Sequence, residues 1–592
     1  MPLPQDDTLP ANSQVFTSHT EAPVTELSTS EVLQKFKQLG VDAAAEEEDD
    51  DEDDEEHEPA AAGAAGPGGE AGAGGEGGKK KKKKKKGKSK ASKAVDKLKN
   101  IATGGAPQEL IDAVRDNMDA SEQGATDEDI KKALKAIDLM KILEGQVALG
   151  NKSNSKNLGE HKFWNTQPVP QLPTASSSSS IPTEGPIDKP KTPADVKQEP
   201  GALPSGFEWS LIDIKNEAQC EEVHTLLSEN YVEDDDAMFR FRYSKEFLLW
   251  ALTAPGYLPE WHIGVRVVKT GKLVAFISGI NIDIRVRSQI FPAAEINFLC
   301  VHKKLRSKRL TPVLIKEVTR RVNLTNVWQA IYTAGVVLPT PFGTSRYFHR
   351  NLNPPKLVDI GFSPLGRNQT ISRLVRHYAV PSHPQIPGFR EMVAADVPQV
   401  GELLRRYLAR FDIAQTFSKD EEIAHWFLSG QGREVNGERV EQVVWAYVVE
   451  DPTTHLITDL VSFYSLPSTI MKHKNHNVLN AAYMFYYASD VISSPGGSAD
   501  DAATHDAKSK AKLGERLNAL VSDLLVIAKN AGFDVVNALT MADNNMFLND
   551  QKFGPGDGFL NYYLYNWSCA GIDGGARGTA NRQGSGIGIV ML

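Results

Sequence analysis

The segment whose residue types point most clearly to chemistry is residues 295–312. It has the pattern of a strand, a basic loop and the first turn of a helix. Thr311 is expected to be the N-cap and Pro312 the first helical residue, because each residue type favours that position. The N–H groups of the helix start, its positive dipole end and the lysine and arginine charges of residues 303–309 would then converge. This combination is typical of an anion site, although a solvated basic turn fits the same pattern.

The loop lacks the residues that would bind the phosphates of a nucleotide in a P-loop. It has neither the glycines nor the Lys-Ser/Thr pair of a nucleotide P-loop. A phosphate group of another kind of ligand is therefore the better prediction.

A nucleophile is harder to identify. No grouping of Ser, His and Asp, or of Cys and His, stands out in the sequence as a catalytic unit. Cys300 lies in the strand of the basic segment, but its apolar neighbours favour an inert buried thiol. The end of the chain, residues 587–592, is apolar, which is unlike a frayed polar tail and is compatible with an edge strand.

The elements that must position these residues are predicted from hydrophobic periodicity. Residues 280–287 alternate strictly and predict a half-buried strand. The other predicted elements are helices at 217–229, 311–322 and 513–530, strands at 443–450, 460–466 and 534–539, and a surface loop at 493–512. This mixture favours an α+β or α/β fold, in two closely packed domains because the folded part is too long for one ordinary core.

The composition divides the chain into a low-complexity head and a globular remainder. Of 592 residues only 40% are hydrophobic, and the deficit is concentrated near the N-terminus. The net charge of −10 combines an acidic block at 46–58 with eight consecutive lysines at 79–86. Residues 1–160 are therefore predicted to be disordered, except for a helix that begins near Thr126. The aromatic island at 162–164 interrupts a polar linker and is expected to dock onto the folded part.

Several classes of protein are disfavoured. No stretch approaches the ~20 apolar residues of a membrane-spanning helix, and no secretory signal is visible. Three scattered cysteines are too few for a disulfide framework or a thiolate zinc site. A reducing, cytosolic compartment is therefore expected.

At residues 295–312 the sequence resembles the eukaryotic glycylpeptide N-tetradecanoyltransferases, also called the N-myristoyltransferase family. A second signature of that family matches residues 552–566, which begin Lys-Phe-Gly-Pro-Gly-Asp-Gly. Shorter matches lie at 162–164, 229–236, 275–278, 332–335 and 590–592. The resemblance therefore extends from about residue 160 to the end, in motifs that are long and ordered.

The resemblance implies that the chain transfers a myristoyl group from myristoyl-CoA to the α-amino group of an N-terminal glycine. It implies an α+β fold of two acetyltransferase-like halves, related by pseudo-two-fold symmetry around a saddle-shaped sheet. Residues 161–388 would form the half that binds acyl-CoA, and residues 389–592 the half that binds most of the peptide. It also implies a monomer without a metal or redox cofactor, which acts on N-terminal glycine peptides and nascent proteins.

The resemblance also assigns catalytic roles. The family's oxyanion hole consists of backbone N–H groups, which correspond here to Phe298 and Leu299. Its base is the C-terminal carboxylate, here that of Leu592, and burial would raise the pKa of this group and strengthen it as a base. Asn297 and Thr333 match positions that hold the amine or the carboxylate through hydrogen bonds.

Two binding sites are implied in the same way. The positions that match the family's acyl-CoA contacts are Lys162, Phe163, Trp164, Phe298, Leu299, Cys300, Val301, Ser307, Lys308, Arg309, Leu310, Thr311 and Pro312. Those that match its peptide site are Tyr231, Val232, Asp234, Asp236, Phe239, Tyr347, His349 and Gly558. The acidic cluster at 233–236 would attract lysines of the substrate, and His349 would contact a Ser or Thr hydroxyl group.

Two other classes of function compete with an acyltransferase. The eight lysines are compatible with a nucleic-acid or ribosome-binding protein, although the adjacent acidic block is able to neutralise them. A CoA-binding regulator without turnover is the third interpretation. We interpret the lysine run as an arm that directs an enzyme to ribosomes, where nascent N-termini appear.

Overall fold

The computed structural model describes residues 161–170, 184–234, 237–436, 438–491, 502–576 and 584–592. The described residues do not include residues 1–160, for which the sequence predicted disorder and a helix near Thr126 and which contain the lysine run. They do not include Asp236 either. Within the described ranges, no helix is both long enough and apolar enough to span a membrane.

Most of the described chain surrounds one large mixed β-sheet. The strands are β1 Phe207–Leu211, β2 Phe239–Phe241, β3 His262–Val267, β4 Leu273–Val286, β5 Gln289–Val301, β6 Gln329–Ala334, β7 Gly343–Asn351, β8 Phe389–Glu391, β9 Ile413–Gln415, β10 Arg433–Val435, β11 Glu438–Val440, β12 Val444–Glu450, β13 Ile457–Ser465, β14 Ser468–Ile470, β15 Val478–Leu479, β16 Ala481–Ser489, β17 Val535–Leu539 and β18 Gly554–Tyr565. The large sheet has the spatial order β1-β3-β4-β5-β6-β18-β7-β17-β16-β13-β12-β8, with β9 paired to β4. The strands predicted at 280–287, 443–450, 460–466 and 534–539 are parts of β4, β12, β13 and β17.

The strand order is nearly the same when it is followed inward from either edge. β1, β3, β4 and β5 pair antiparallel, and β5 then pairs in parallel with β6. From the other edge β8, β12, β13 and β16 pair antiparallel, and β16 then pairs in parallel with β17. The two halves exchange their central strands, because β18 from the end of the chain lies beside β6, and β7 lies beside β17. This order agrees with the expected pair of related α+β halves.

The helices cover both faces of the sheet. They are α1 Glu217–Asn230, α2 Lys245–Leu252, α3 Leu310–Leu324, α4 Pro354–Asp359, α5 Ile371–His377, α6 Val397–Leu408, α7 Asp420–Leu428 and α8 Ala502–Asn530. The helices predicted at 217–229, 311–322 and 513–530 correspond to α1, α3 and the second part of α8.

The prediction of a surface loop at 493–512 is wrong for its second part. Residues 502–512 are helical and belong to α8. Alanine and lysine dominate this segment, and both residue types favour helix. The glycine- and aspartate-rich composition that suggested a loop is confined to the residues before it.

Two hydrophobic cores lie on opposite faces of the sheet, and β5 contributes to both. Phe298 and Cys300 belong to the core that contains the apolar side of α1. Leu299 and Val301 belong to the core that contains the apolar side of α3. This alternation follows from the two-residue period of a strand. It places the backbone at residues 298 and 299 between the two cores.

Candidate active site

A β-bulge interrupts β5 at Phe298 and Leu299. The pairing of β5 with β4 shifts register between Phe276 and Ser278, so two residues of β5 stand opposite Ile277. Phe298 also has a positive φ of 56°, which is uncommon for a residue other than glycine and is concentrated at functional sites. The bulge locally disrupts the ladder at Phe298 and Leu299, the two residues whose N–H groups are predicted to form the oxyanion hole.

The same part of β5 forms one wall of a cavity of about 700 Å³. The parallel pairing of β5 with β6 ends at Glu295, and the cavity opens beyond that point. The apolar residues Ile315, Val318 and Val322 of α3 form another wall. A mostly apolar lining with a few polar side chains is typical of a small-molecule site.

Asn297 and Thr333 both line this cavity and are both buried. The Nδ2 atom of Asn297 donates a hydrogen bond of 2.8 Å to Oε1 of Glu295. Since this bond uses the NH₂ group of the amide, the Oδ1 atom is the part of Asn297 that remains as an acceptor. The two residues that were predicted to hold the amine or the carboxylate therefore line the same cavity as Phe298 and Leu299.

The end of the chain reaches the same strand. Val590 donates its backbone N–H to the Tyr486 hydroxyl oxygen at 3.1 Å, and the backbone N–H of Leu592 interacts with the carboxyl group of Glu295. Leu592 is only 6% exposed. The tail is therefore a buried segment that ends beside Asn297, and it is not a frayed terminus.

Cys300 is not placed to act as a nucleophile. Its side chain is buried in the core that contains α1, with Sγ 4.0 Å from the carbonyl oxygen of Leu226. Burial raises the pKa of the other two thiols, Cys220 and Cys569, to about 11. A buried thiol is a poor nucleophile, so the interpretation of Cys300 as inert agrees with its position.

The basic loop leads into α3, which begins at an earlier residue than the sequence predicted. The N-cap is Arg309, not Thr311, and the helix begins at Leu310. Ser307 and Arg309 both have left-handed backbones, with φ of 60° and 57°, and this tight turn outweighs the weak preference of Thr and Pro for the cap positions. Arg309 forms no side-chain cap, so the first N–H groups of α3 stay directed toward the loop.

The charges of that loop are arranged as an anion site would need them. Ser307, Lys308 and Arg309 are exposed and immediately precede the uncapped helix start. Pro312 has no N–H group, so the donors of the first turn are the backbone N–H groups of Leu310, Thr311 and Val313. The predicted combination of helix dipole, N–H groups and basic side chains is therefore present.

The aromatic island docks onto the folded part, as its composition predicts. Phe163 and Trp164 are buried, whereas Lys162 is exposed. The Trp164 ring stacks on Tyr332, with 5.5 Å between the ring centroids and 11° between the planes. Trp164 also lines the 700 Å³ cavity. The island therefore forms part of the wall of the cavity.

A second cavity, of about 570 Å³, lies in the other half of the sheet. Its lining includes Tyr347 from β7, Asn537 from β17, and Val590 and Met591 from the tail. The chain end therefore borders this cavity just before it reaches β5. The arrangement suits a reaction in which two substrates approach one point from different directions.

The strand beside this cavity carries a second bulge. The register of β18 against β7 shifts between Pro555 and Phe559, so the Gly-Asp-Gly segment that ends at Gly558 stands opposite Tyr347. A Cβ atom added at Gly556 would lie 2.3 Å from Nε2 of His349. The glycine therefore leaves the space that this histidine nitrogen occupies.

The contacts of His349 determine which of its two ring nitrogens donates and which accepts a hydrogen bond. Its Nδ1 atom lies 2.7 Å from Oδ1 of Asn537, and a carbonyl oxygen only accepts, so Nδ1 carries the proton. Burial lowers the pKa of His349, which keeps the ring neutral near pH 7. Its Nε2 atom is then an acceptor, and among the described residues it has no hydrogen-bond partner.

The acidic segment that was predicted to attract lysines is partly used within the fold. Asp234 accepts hydrogen bonds from the backbone N–H groups of Met238 at 2.8 Å and Phe239 at 2.6 Å. Glu233 forms ion pairs with Arg240 and Lys303. Both contacts order the loop that leads from α1 to β2.

The aromatic and apolar peptide-site candidates on either side of this loop are buried. They are Tyr231, Val232 and Phe239. Tyr231 also lines the 700 Å³ cavity, so the start of this loop lies beside the candidate acyl site.

Sequence reasoning missed three residues of the site: Glu295, Tyr486 and Asn537. Glu295 had a usable signal, because it is an acidic residue at the start of an otherwise apolar strand segment. Tyr486 and Asn537 lie in ordinary strand patterns and become notable only through their partners in space. In the described part of the chain, no group of three or more His, Cys, Asp or Glu side chains is placed to hold a metal ion.

Comparisons with known proteins agree with this geometry. The models of the myristoyl-CoA:protein N-myristoyltransferase N-terminal and C-terminal domains match residues 186–345 and 359–590. The glycylpeptide N-tetradecanoyltransferase of Emericella nidulans is 49% identical over 477 residues, which are 80% of this chain and 92% of the relative. Glycylpeptide N-tetradecanoyltransferase 1 of Arabidopsis thaliana is 52% identical over 408 residues, 69% of this chain and 86% of the relative.

A solved structure extends the similarity to the fold. The crystal structure of Saccharomyces cerevisiae N-myristoyltransferase with bound myristoyl-CoA is 47% identical, with a TM-score of 0.70 over 78% of this chain and 100% of that one. The matches include both halves of the sheet and both signature segments. The chain therefore belongs to the myristoyl-CoA:protein N-myristoyltransferase family and is an acyltransferase.

Proposed function

We propose that this acyltransferase moves a myristoyl group from myristoyl-CoA to the α-amino group of an N-terminal glycine, by direct attack of the amine on the thioester. The observation that carries the mechanism is the meeting of three features on β5: the bulge at Phe298 and Leu299, the cavity beside it, and the buried end of the chain at Leu592. They supply oxyanion donors, a pocket for the acyl chain and a base, in one place.

In this mechanism the terminal carboxylate of Leu592 takes a proton from the amine, whose pKa is normally about 7.7–8.0. The nitrogen forms a bond to the thioester carbon, and the N–H groups of Phe298 and Leu299 stabilise the negative oxygen. The C–S bond then breaks, and the CoA thiolate takes up the second proton that the nitrogen loses as the amide forms. Asn297 and Thr333 orient the amine through hydrogen bonds.

The half formed by residues 161–388 binds the acyl-CoA. The acyl chain occupies the 700 Å³ cavity, with Trp164 and α3 as walls. The phosphate groups contact the basic loop at residues 307–309 and the N–H groups at the start of α3. The backbone from Phe298 to Val301 runs along the pantetheine side of the thioester.

Replacement of Lys308 and Arg309 together by alanine is expected to weaken acyl-CoA binding without unfolding the protein. Both side chains are exposed and immediately precede the start of α3, where the phosphate groups are proposed to bind. Two lost charge-assisted hydrogen bonds predict a loss of affinity on the order of 100-fold at low salt. Calorimetry at fixed ionic strength measures it. Equal affinity of variant and parent contradicts the assignment, and an Arg373→Ala variant on the exposed face of α5 is the matched control.

The half formed by residues 389–592, together with β7 and the acidic loop, binds the peptide. Tyr347 and Gly558 border its path, and the acidic residues Asp234 and Asp236 attract basic residues of the substrate. His349 accepts a hydrogen bond from a Ser or Thr hydroxyl group of the substrate through Nε2. The support for this role is the acceptor polarity that Asn537 imposes on the ring.

Substitution of His349 by alanine is expected to remove the preference for a peptide with serine over the same peptide with alanine at the contacting position. In the parent, the alanine peptide leaves a buried acceptor without a partner, which costs about 1–3 kcal/mol, or roughly 5- to 150-fold in kcat/KM. The ratio of kcat/KM for the two peptides measures the effect, and Asn537→Ala should reduce the ratio less. An unchanged ratio in His349→Ala contradicts the role.

The overall reaction is tested by acyl transfer from a series of acyl-CoAs of different chain length to a Gly-initiated peptide. We expect a maximum at the myristoyl chain and no transfer to a peptide whose N-terminus is acetylated, because that nitrogen is no longer nucleophilic. A protein that binds acyl-CoA without transferring it would be a regulator. The enzyme is proposed to act as a monomer in the cytosol, where the lysine run at 79–86 draws it to ribosomes and nascent chains.

A further inference from the structure

Glu295 is a buried carboxyl group to which the mechanism above gives no role. It is 3% exposed and lies on β5 at the point where the pairing with β6 ends. Its Oε1 atom accepts the Nδ2–H of Asn297 at 2.8 Å, and the backbone N–H of Leu592 interacts with the same carboxyl group. Burial raises the pKa of Glu295 to about 7, and these two hydrogen-bonding interactions oppose the rise.

No cation compensates Glu295 among the residues that the structure describes. Several other buried carboxylates form ion pairs, as Asp459 does with Arg516 and Asp534 does with Lys356, while Asp523 accepts two backbone N–H groups. The groups close to Glu295 are instead the Tyr486 hydroxyl, the Asn297 amide and the backbone N–H of Leu592. A buried carboxyl group without a cation disfavours folding. Its presence beside the reacting groups therefore indicates a functional use.

We propose that Glu295 is a positioning residue for the acyl transfer, because one carboxyl group holds both the end of the chain and the side chain that binds the amine. Its interaction with the Leu592 N–H fixes the residue whose terminal carboxylate takes the proton. Its hydrogen bond from Asn297 keeps Oδ1 of that amide directed away from β5, as an acceptor for the amine. The inference rests on the proposed role of the terminal carboxylate and names the group that keeps it in place.

Two acceptor oxygens are essential to this role. The Asn297 amide and the Leu592 backbone each present an N–H group, and only a carboxyl group offers two oxygen atoms at one position. Glutamine has nearly the same shape but replaces one oxygen with an NH₂ group. In a Glu295→Gln variant one oxygen has to accept from both N–H groups; otherwise the Leu592 N–H loses its acceptor, or Asn297 rotates and withdraws Oδ1 from the amine.

Single-turnover acylation by the full-length Glu295→Gln enzyme is expected to be on the order of 10- to 100-fold slower than by the parent, since displacements of about 1 Å have effects of this size. Acyl-CoA affinity should be unchanged. Addition of Asn297→Asp to this variant restores complementary polarity, because the new carboxylate accepts from the glutamine NH₂ and still offers an oxygen to the amine. The double variant is therefore expected to react faster than Glu295→Gln.

Thermal stability separates this role from a purely structural one. Because the pKa of Glu295 is about 7 in the folded chain and 4.5 is its ordinary value, the folded state binds the proton more tightly, and stability falls as pH rises between these values. The Tm of the Glu295→Gln variant should therefore fall less than the Tm of the parent as the pH rises from about 5 to about 8. The control is Asp459→Asn, which removes the carboxylate partner of Arg516. This variant should have a lower Tm but should keep its turnover at temperatures below its unfolding transition.

The outcomes distinguish this inference from the proposed base. Slow acylation by Glu295→Gln with normal acyl-CoA affinity and rescue by the second substitution supports it. Acylation at the parent rate by Glu295→Gln, while a C-terminal extension of the parent still abolishes turnover, overturns the role of Glu295 alone. If the extension is also without effect, the terminal carboxylate is not the base, and both proposals fail.

Discussion

A tag added after Leu592 is expected to lower turnover by about 100-fold or more, because misplacement of a reacting group by about 1 Å already has an effect of that size. The new peptide bond turns the Leu592 carboxylate into a neutral amide and moves the free carboxylate at least one residue away, about 3.3–3.6 Å in an extended chain. Deletion of Leu592 moves it the other way and should be similarly damaging. Leu592→Ala keeps the carboxylate and should be milder.

The measurement is the steady-state and single-turnover rate with a Gly-initiated peptide, together with acyl-CoA affinity. That affinity should change little, since the basic loop and the cavity wall are separate from the tail. The same tag placed before Met1 is the matched control. A C-terminally tagged enzyme that turns over at the parent rate would refute the carboxylate base.

Replacement of the Phe298 or Leu299 backbone amide by an ester is expected to slow the chemical step on the order of 100- to 1000-fold for each donor that contacts the oxyanion. The ester removes one N–H group and preserves the side chain. Binding of acyl-CoA should be affected much less, because the ground-state thioester oxygen carries little charge and the donors act mainly on the transition state.

An ester at Ala293 on the same strand provides the control. Ala293 is in regular register with both β4 and β6, away from the bulge. Its ester should cost about 0.5–1.5 kcal/mol of stability and leave the rate unchanged. Equal rates for the Ala293, Phe298 and Leu299 esters would remove the bulge from the mechanism.

Local patterns predicted the main elements around the site but not their details. The strand, the basic loop and the helix at 295–312 are present because alternation and helical spacing are local properties. The N-cap prediction at Thr311 failed because the left-handed backbones of Ser307 and Arg309 have no reliable sequence signal outside glycine. The loop prediction at 493–512 failed where alanine and lysine continue the helical tendency of α8.

The sequence by itself determined the family, through two long signature segments and the shorter motifs between them, and the mixed α+β class. It also located the basic loop, because charges next to a helix start are legible as residue types. Only the tertiary structure decided that β5 is bulged at Phe298, that the cavity opens where β5 leaves β6, and that Leu592 ends against Glu295. The physical reason is that backbone N–H directions depend on φ and on register. Contacts between residues far apart in the chain depend on how the whole sheet packs, and neither is a property of a local pattern.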